Sequence, residues 1–191
     1  MEDPINQFNN WLEAAFEEGI KEHNSMVLST VSELGKPSAR VVFLKGHSSK
    51  GLLFFTNYNS RKAKDIMSNH HASLLFYWKE LERQIRIEGI VRKASAEESD
   101  TYFHSRSFES NLSAVSSPQS AVIADRNFLL NRIALIRKEN TIETIRRPLY
   151  WGGFKLIPEY FEFWQAGKAR LHDRVSYTLE NGEWVVERLA P

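Results

Sequence analysis

Three pairs of cations stand where strand-like sequence gives way to turns: Arg40 with Lys45, Arg61 with Lys62, and Arg170 with Arg174 around His172. Guanidinium and ammonium groups make charge-assisted hydrogen bonds to phosphate and carboxylate oxygens, and an imidazole can hold or pass a proton near neutral pH. The densest of these stretches is Phe163–Arg174, FWQAGKARLHDR, which follows an aromatic run and precedes a terminal hairpin. So many ionisable groups where a strand should end mark a corner or strand-entry loop, read either as solvated and basic or as anion-binding and proton-handling. Ser60 is a candidate cap for a helix whose first turn carries Arg61 and Lys62. Cations are ordinarily favoured at the other end of a helix. Here they suit a dianion such as a phosphate, on which backbone donors, helix dipole and side-chain charge would act together. A solvated, lysine-rich helix is the alternative.

Other polar groups stand beside these clusters. Gln84 lies on the polar face of an alternating strand, where its amide could meet a planar heterocycle or simply solvent. Tyr102 and Arg106, four apart on a predicted helix, share a face and could hold one ligand. Ser107–Ser120 is serine-rich but anchored by Phe108, Leu112 and Val115, which favours an ordered loop over a linker. No metal site is predicted: His70 and His71 are adjacent on an apparent loop, and His23, His47 and His104 stand apart. Nucleophile-elbow, dinucleotide-fingerprint and Walker patterns are missing.

The elements that must position these residues are mostly strands. A helix within Asp3–Ile20 would bury Phe8, Trp11, Leu12, Ala15 and Phe16 along one stripe. Strands follow at Met26–Val31, Ser38–Lys45, Gly51–Thr56, Ala72–Trp78 and Gln84–Val91. Ser95 and Glu98 form a capping-box signature for a helix to about Ser105. A further helix near Asp125–Lys138 would bury Leu129, Leu130, Ile133 and Ile136 and be closed by Arg146-Arg147-Pro148. Strands resume at Trp151–Ile157, Tyr160–Trp164 and Val175–Leu179, and Asn181-Gly182 turns the chain into a last one. With no βαβ rhythm and no repeat, this is a mainly β protein: an antiparallel, Greek-key-like barrel with peripheral helices.

The chain of 191 residues carries a formal charge of +1, 12 Phe, 5 Trp and no cysteine. That length suits a single domain over residues 21–191 behind an N-terminal helix or flexible lead at 1–20. Near-zero charge argues against a nucleic-acid partner, and the missing cysteines exclude disulfides and thiolate chemistry. No apolar run resembles a signal peptide or a membrane span, so a cytoplasmic location is expected. Cationic clusters beside abundant aromatics suit a flat, phosphorylated ligand, and their number suits two, a cofactor and a substrate.

Six motifs in order carry a resemblance: RVVFLK at Arg40–Lys45, FFTNYNSRKA at Phe54–Ala63, FYWKELERQIRIEG at Phe76–Gly89, SPQS at Ser117–Ser120, EFWQ at Glu162–Gln165 and RLHDRVSY at Arg170–Tyr177. Over nearly its whole length the chain resembles the pyridoxamine (pyridoxine) 5'-phosphate oxidases. The resemblance implies an FMN-binding split barrel, a homodimer with FMN at the interface, and oxidation of a small phosphorylated pyridine by molecular oxygen. It implies FMN contacts at Arg40, Val41, Val42, Phe43, Leu44, Lys45, Phe55, Thr56, Arg61, Lys62, Gln84, Gln119, Ser120, Trp164 and Arg174. It implies substrate contacts at Lys45, Tyr102, Arg106, Ser110, Arg170 and His172, with Arg170 and His172 as the catalytic pair. The chain departs from the family pattern at Ser107, where proline is usual, at Asn111–Ser116, which lacks a Gly-Ala-Trp run, and at Asn140–Arg147. The first is expected to loosen the phosphate loop and the second to remove an aromatic wall.

Overall fold

A computed structural model describes residues 3–191; Met1 and Glu2 of the expected lead lie outside the described residues. Helix α1 (Pro4–Glu17) starts at Asp3, whose carboxylate accepts from the Ile5 N–H at 2.9 Å, with Pro4 in the first turn. Phe8 and Ala15 are fully buried, and Trp11 and Leu12 pack on the same core. Burying a side chain like Phe8 contributes about 2–3 kcal/mol, enough to dock the helix. Phe16 leaves the expected stripe: it is 65% exposed and lies edge-on to His23.

Next come β1 (Ser25–Val31), β2 (Pro37–Phe43), a short β3 (Gly46–Ser48) that the sequence reading missed, and β4 (Gly51–Asn57). Helix α2 (Arg61–Ser68) leads to β5 (His71–Trp78) and β6 (Arg83–Lys93). Three helices follow: α3 (Ala96–Ser105), α4 (Phe108–Ser116) and α5 (Arg126–Glu139). The chain closes with β7 (Trp151–Gln165), a 3-10 turn at Lys168–Arg170, β8 (Asp173–Glu180) and β9 (Glu183–Arg188).

The strands pair antiparallel in the order β2-β1-β5-β6-β7-β4-β3, and β8 and β9 branch from β7. Strand β7 makes the split. Its residues 151–156 pair with β4, its residues 160–165 pair with β8, and β6 runs along both halves. The expected break at Pro158 is instead a bulge inside one strand: Glu88 faces Tyr160, Gly89 faces Pro158, and Glu159 is the extra residue. Gly89 is needed there, because a Cβ would meet the Ile157 carbonyl oxygen at 2.0 Å. The antiparallel, Greek-key-like barrel expected from sequence takes the form of the split barrel that the resemblance implied. Among the described residues no ladder joins β3 or β4 to β2; the Lys45 N–H, two residues beyond β2, donates to the Leu53 carbonyl of β4 at 2.8 Å.

Leu28, Leu74, Phe76, Ile85, Ile87 and Phe161 fill the barrel core. A second cluster under the helices holds Phe103, Leu112, Ile145 and Trp151. Two expectations change here. The 107–120 stretch is not a loop throughout, since residues 108–116 form α4 with Ser107 as its cap. Helix α5 ends at Glu139 and buries only part of its stripe: Ile133 and Ile136 pack inward while Leu130 is half exposed. Arg147, expected to close that helix, donates to Asp100 at 2.7 Å and to the Trp151 carbonyl at 2.8 Å.

Candidate active site

Between β2, β4, α3 and α4 opens a cavity of about 620 Å³. One wall is aromatic: Phe55 stacks on Tyr102 at 3.9 Å between centroids and on Trp151 at 5.4 Å. These residues reach one place from strand β4, helix α3 and the first residue of β7. The Arg106 guanidinium lies 4.7 Å above the Trp151 ring, and its Nη2 donates to the Ser110 carbonyl at 2.9 Å. Its Nη1 is buried without a hydrogen-bond partner, and burial pushes the group below its ordinary pKa. A buried, unpaired guanidinium nitrogen is costly unless an anion arrives to accept from it. Lys45 and Ser110 line the same cavity.

The other end of the cavity is a polar pole at the start of α2. Lys62 Nζ lies 3.2 Å from Gln119 Oε1 and 3.3 Å from Thr56 Oγ1, and Thr56 donates to Gln119 at 3.1 Å. Burial, and then the charge of Arg40, lower the Lys62 pKa. Ser60 holds the cap position but makes no side-chain cap bond. Ser120 substitutes for it: its hydroxyl accepts from the Arg61 N–H at 3.2 Å, across 59 residues of chain, from a backbone with φ of +70°. An ammonium, a helix start and an amide thus converge as a phosphate requires.

The expected site residues divide into two groups. Val41, Val42, Phe43, Lys45, Phe55, Thr56, Lys62, Tyr102, Arg106, Ser110 and Gln119 line this cavity. Arg61 and Ser120 flank its polar pole, whereas Leu44 is buried in the core. Arg40 stands behind the pole, donating to the Leu28 carbonyl at 3.1 Å and to Thr30 Oγ1 at 2.7 Å. Gln84, Trp164, Arg170, His172 and Arg174 do not line it.

Gln84, Trp164 and Arg174 stand in one row on the outer face of the sheet, with His172 against Trp164 and Arg170 exposed on the corner between β7 and β8. Tyr77, Gln84, Trp164 and Arg174 are directly opposed across β5, β6, β7 and β8. Beside that row, the buried Glu162 accepts from Arg86 at 2.6 Å and from Arg174 at 2.8 Å. Burial alone would raise its pKa, but the two arginines outweigh it and hold the carboxyl below its usual range. The corner turns sharply: Ala169 and Arg170 have φ of 53° and 64°. The Gly167 N–H donates to His172 Nδ1 at 3.2 Å, which leaves the imidazole proton on Nε2. The His172 ring lies 4.7 Å from Trp164.

Sequence reasoning missed Asn57, Ser113, Ala114 and Ser117 in the cavity wall, and Glu162 beneath Arg174. The alternation of Glu162 with Trp164 in EFWQ could have exposed the last of these. Ser107, expected to loosen a loop, instead stands at the start of helix α4. It caps α4 by accepting from the Ser110 N–H at 3.3 Å, and its hydroxyl donates to Ser110 Oγ at 2.9 Å. Ser107→Ala is therefore expected to raise KM for a phosphorylated substrate about threefold to tenfold with kcat little changed, the scale of one lost hydrogen bond; steady-state kinetics on purified variant checks it.

A split antiparallel barrel whose cavity has an aromatic wall and a cationic end at a helix start fits the class of FMN-binding split-barrel flavoproteins. Residues 12–139 match the family described as Pyridoxamine 5'-phosphate oxidase, and residues 151–191 match the Pyridoxine 5'-phosphate oxidase C-terminal dimerisation region. The chain is 48% identical to the pyridoxine/pyridoxamine 5'-phosphate oxidase of Herminiimonas arsenicoxydans over 190 residues, covering 99% of this chain and 90% of that one. It is 47% identical to the corresponding oxidase of Mannheimia succiniciproducens, covering 100% and 90%. In structure it is similar to PhzG from Burkholderia lata 383, solved with tetrahydrophenazine-1-carboxylic acid: TM-score 0.95, 29% identity, 100% of this chain and 94% of that one. An FMN-binding protein from Nostoc punctiforme shares the fold at TM-score 0.78 and 17% identity, covering 100% of both chains. The chain belongs to the pyridoxine/pyridoxamine 5'-phosphate oxidase family, FMN is its cofactor, and it is an oxidoreductase. Among the described residues no helix is long and apolar enough to cross a membrane.

Proposed function

We propose that the chain oxidises pyridoxamine or pyridoxine 5'-phosphate to pyridoxal 5'-phosphate, with molecular oxygen reduced to hydrogen peroxide. The observation that carries this reading is one cavity with two anion poles: Lys62 with its helix start at one end, and the buried, unpaired Arg106 Nη1 at the other. Two phosphorylated ligands side by side would occupy both. Bound FMN supplies a hydride acceptor and a route for electrons to oxygen. Lys62, Thr56, Gln119, Ser120 and the Arg61 N–H would hold the FMN phosphate. Lys45, Tyr102, Arg106 and Ser110 would hold the substrate phosphate, fixing the ring so that its 4' carbon faces the cofactor. Arg170 and His172 would grip the other end of the substrate. The Nε2 proton of His172 can donate to its 4' oxygen or nitrogen, and the Gly167 bond keeps that tautomer.

The site needs a second copy of the chain. Of the five residues outside the cavity, Gln84, Trp164 and Arg174 share the outer sheet face with Val41, Phe43 and Tyr77, which are 60%, 39% and 59% exposed. Four of the five fall in the stretch matching the dimerisation region. A two-fold pairing through this face would bring Gln84, Trp164, Arg170, His172 and Arg174 of one protomer to the cavity of its partner.

The test is to incubate the FMN-loaded protein with pyridoxine 5'-phosphate in air and follow pyridoxal 5'-phosphate and peroxide, expected in equal amounts. A flavin-loaded protein that yields neither would overturn the reading. The likeness to PhzG favours a second reading, oxidation of a reduced polycyclic carboxylate, and the same assay with tetrahydrophenazine-1-carboxylic acid separates the two.

A further inference from the structure

Helix α2 carries one acid among its basic residues, Asp65, one turn beyond Arg61, and it is buried with 7% of its side chain exposed. Its Oδ2 accepts from the Thr30 hydroxyl at 2.8 Å, and Thr30 is itself fully buried on β1. Thr30 in turn accepts from Arg40 Nη1 at 2.7 Å. The direction of this relay is fixed, because a guanidinium only donates, an ionised carboxylate only accepts, and the one hydroxyl proton must go to the acid. Arg40 Nη1 is further held by the Leu28 carbonyl, and Nη2 by Ser38. Nη2 also lies 3.9 Å from Asp65 Oδ2.

Arg40 thus has its terminal nitrogens anchored on three elements and faces the charges of Arg61 and Lys62. Three cations this close repel one another whenever no anion lies between them. Left to itself, such a cluster would swing its side chains apart into solvent and have to reassemble on binding, which weakens affinity.

We infer that Asp65 is a positioning residue for the phosphate pole: through Thr30 it pins Arg40 behind Lys62 and keeps the cationic cluster assembled before FMN binds. Asp65 acts through Arg40 rather than by contact with the ligand. The inference rests on the placement of the FMN phosphate at Lys62 proposed above.

Charge alone predicts the opposite sign, which makes the idea testable. Removing a negative charge from an anion site should tighten phosphate binding if Asp65 only lowers the potential. If it positions Arg40, Asp65→Asn should weaken it. Fluorescence titration of the flavin-free protein with FMN and with riboflavin, which has the same ring and no phosphate, reads this directly. The wild-type chain is expected to prefer FMN strongly. In Asp65→Asn the FMN Kd is expected to rise about tenfold, the scale of one charge-assisted hydrogen bond, with riboflavin affinity unchanged. Thr30→Val, near in shape and with the acid retained, should show the same phosphate-selective loss. Unchanged or tighter FMN binding in either variant would overturn the inference, and so would an equal loss for both flavins, which marks general damage to the barrel. A wild-type chain with no preference for FMN would instead refute the phosphate placement itself.

Discussion

Arg170→Ala is expected to lower turnover of the phosphorylated pyridine by about 10²–10³-fold, the cost typical of deleting one transition-state donor, while leaving flavin content and melting temperature near wild type. Arg170 is exposed at the corner after β7, and its side chain makes no hydrogen bond or ion pair among the described residues. Its removal therefore disturbs little of the fold, and the strained backbone at Ala169 and Arg170 remains as it was. A guanidinium held in left-handed backbone with nothing of its own chain to bind is placed for a partner outside the chain. That partner is proposed to be the substrate in the neighbouring protomer's cavity. Co-expression with an Arg106→Met chain tests the sharing. Each variant homodimer lacks a necessary group in both sites, but a mixed dimer concentrates both lesions in one site and leaves the other intact. Random pairing should restore about a quarter of wild-type activity. Activity no higher than the mean of the two variants would mean that each site is built within one chain.

Local chemistry is what the sequence makes legible. Ser95 and Glu98 do form a capping box, and Asn181-Gly182 does turn with φ of 51° and 86°. Arg61 and Lys62 do stand at a helix start, with Lys62 beside Thr56 and Gln119, because a helix start depends mainly on neighbours in the chain. What escapes is whatever depends on distant segments. The cap on α2 comes from Ser120, and no pattern near Ser60 announces it. The continuity of β7 through Pro158 depends on Gly89 giving way on another strand. Helix α4 escapes as well and reads as a loop: Phe108, Leu112 and Val115 recur with helical period, but the serines around them mask it. The corner at Gly167–Asp173 has a different cause from the clustering of charge. Residues 170, 172 and 174 share parity, so a straight strand would already put them on one face. The chain bends through the left-handed backbone of Ala169 and Arg170, and Gly167 lets it return closely, since an added Cβ there would meet the Leu171 carbonyl oxygen at 1.9 Å.

Arg106→Met should separate function from stability. In the empty protein the guanidinium lacks a partner for Nη1, and a buried, unpaired donor of this kind costs about 1–3 kcal/mol. The substitution also removes the contact over Trp151, worth about 0.5–2 kcal/mol, and the bond to the Ser110 carbonyl. Methionine recovers part of this by packing on the same ring. The terms nearly cancel, so the ligand-free melting temperature is expected to stay within about 4 °C of wild type, in either direction. Binding has no such compensation. The substrate phosphate would lose its charge-assisted partner while the cost of desolvating it remains, so KM should rise about 100-fold with flavin content unchanged. Thermal melts with added pyridoxal 5'-phosphate give the independent reading. Wild-type protein should gain stability with ligand concentration and the variant should not. A variant that melts far below wild type, yet is stabilised by the ligand as strongly, would show that Arg106 holds α3 to β7 and leaves the substrate phosphate to Lys45 and Ser110.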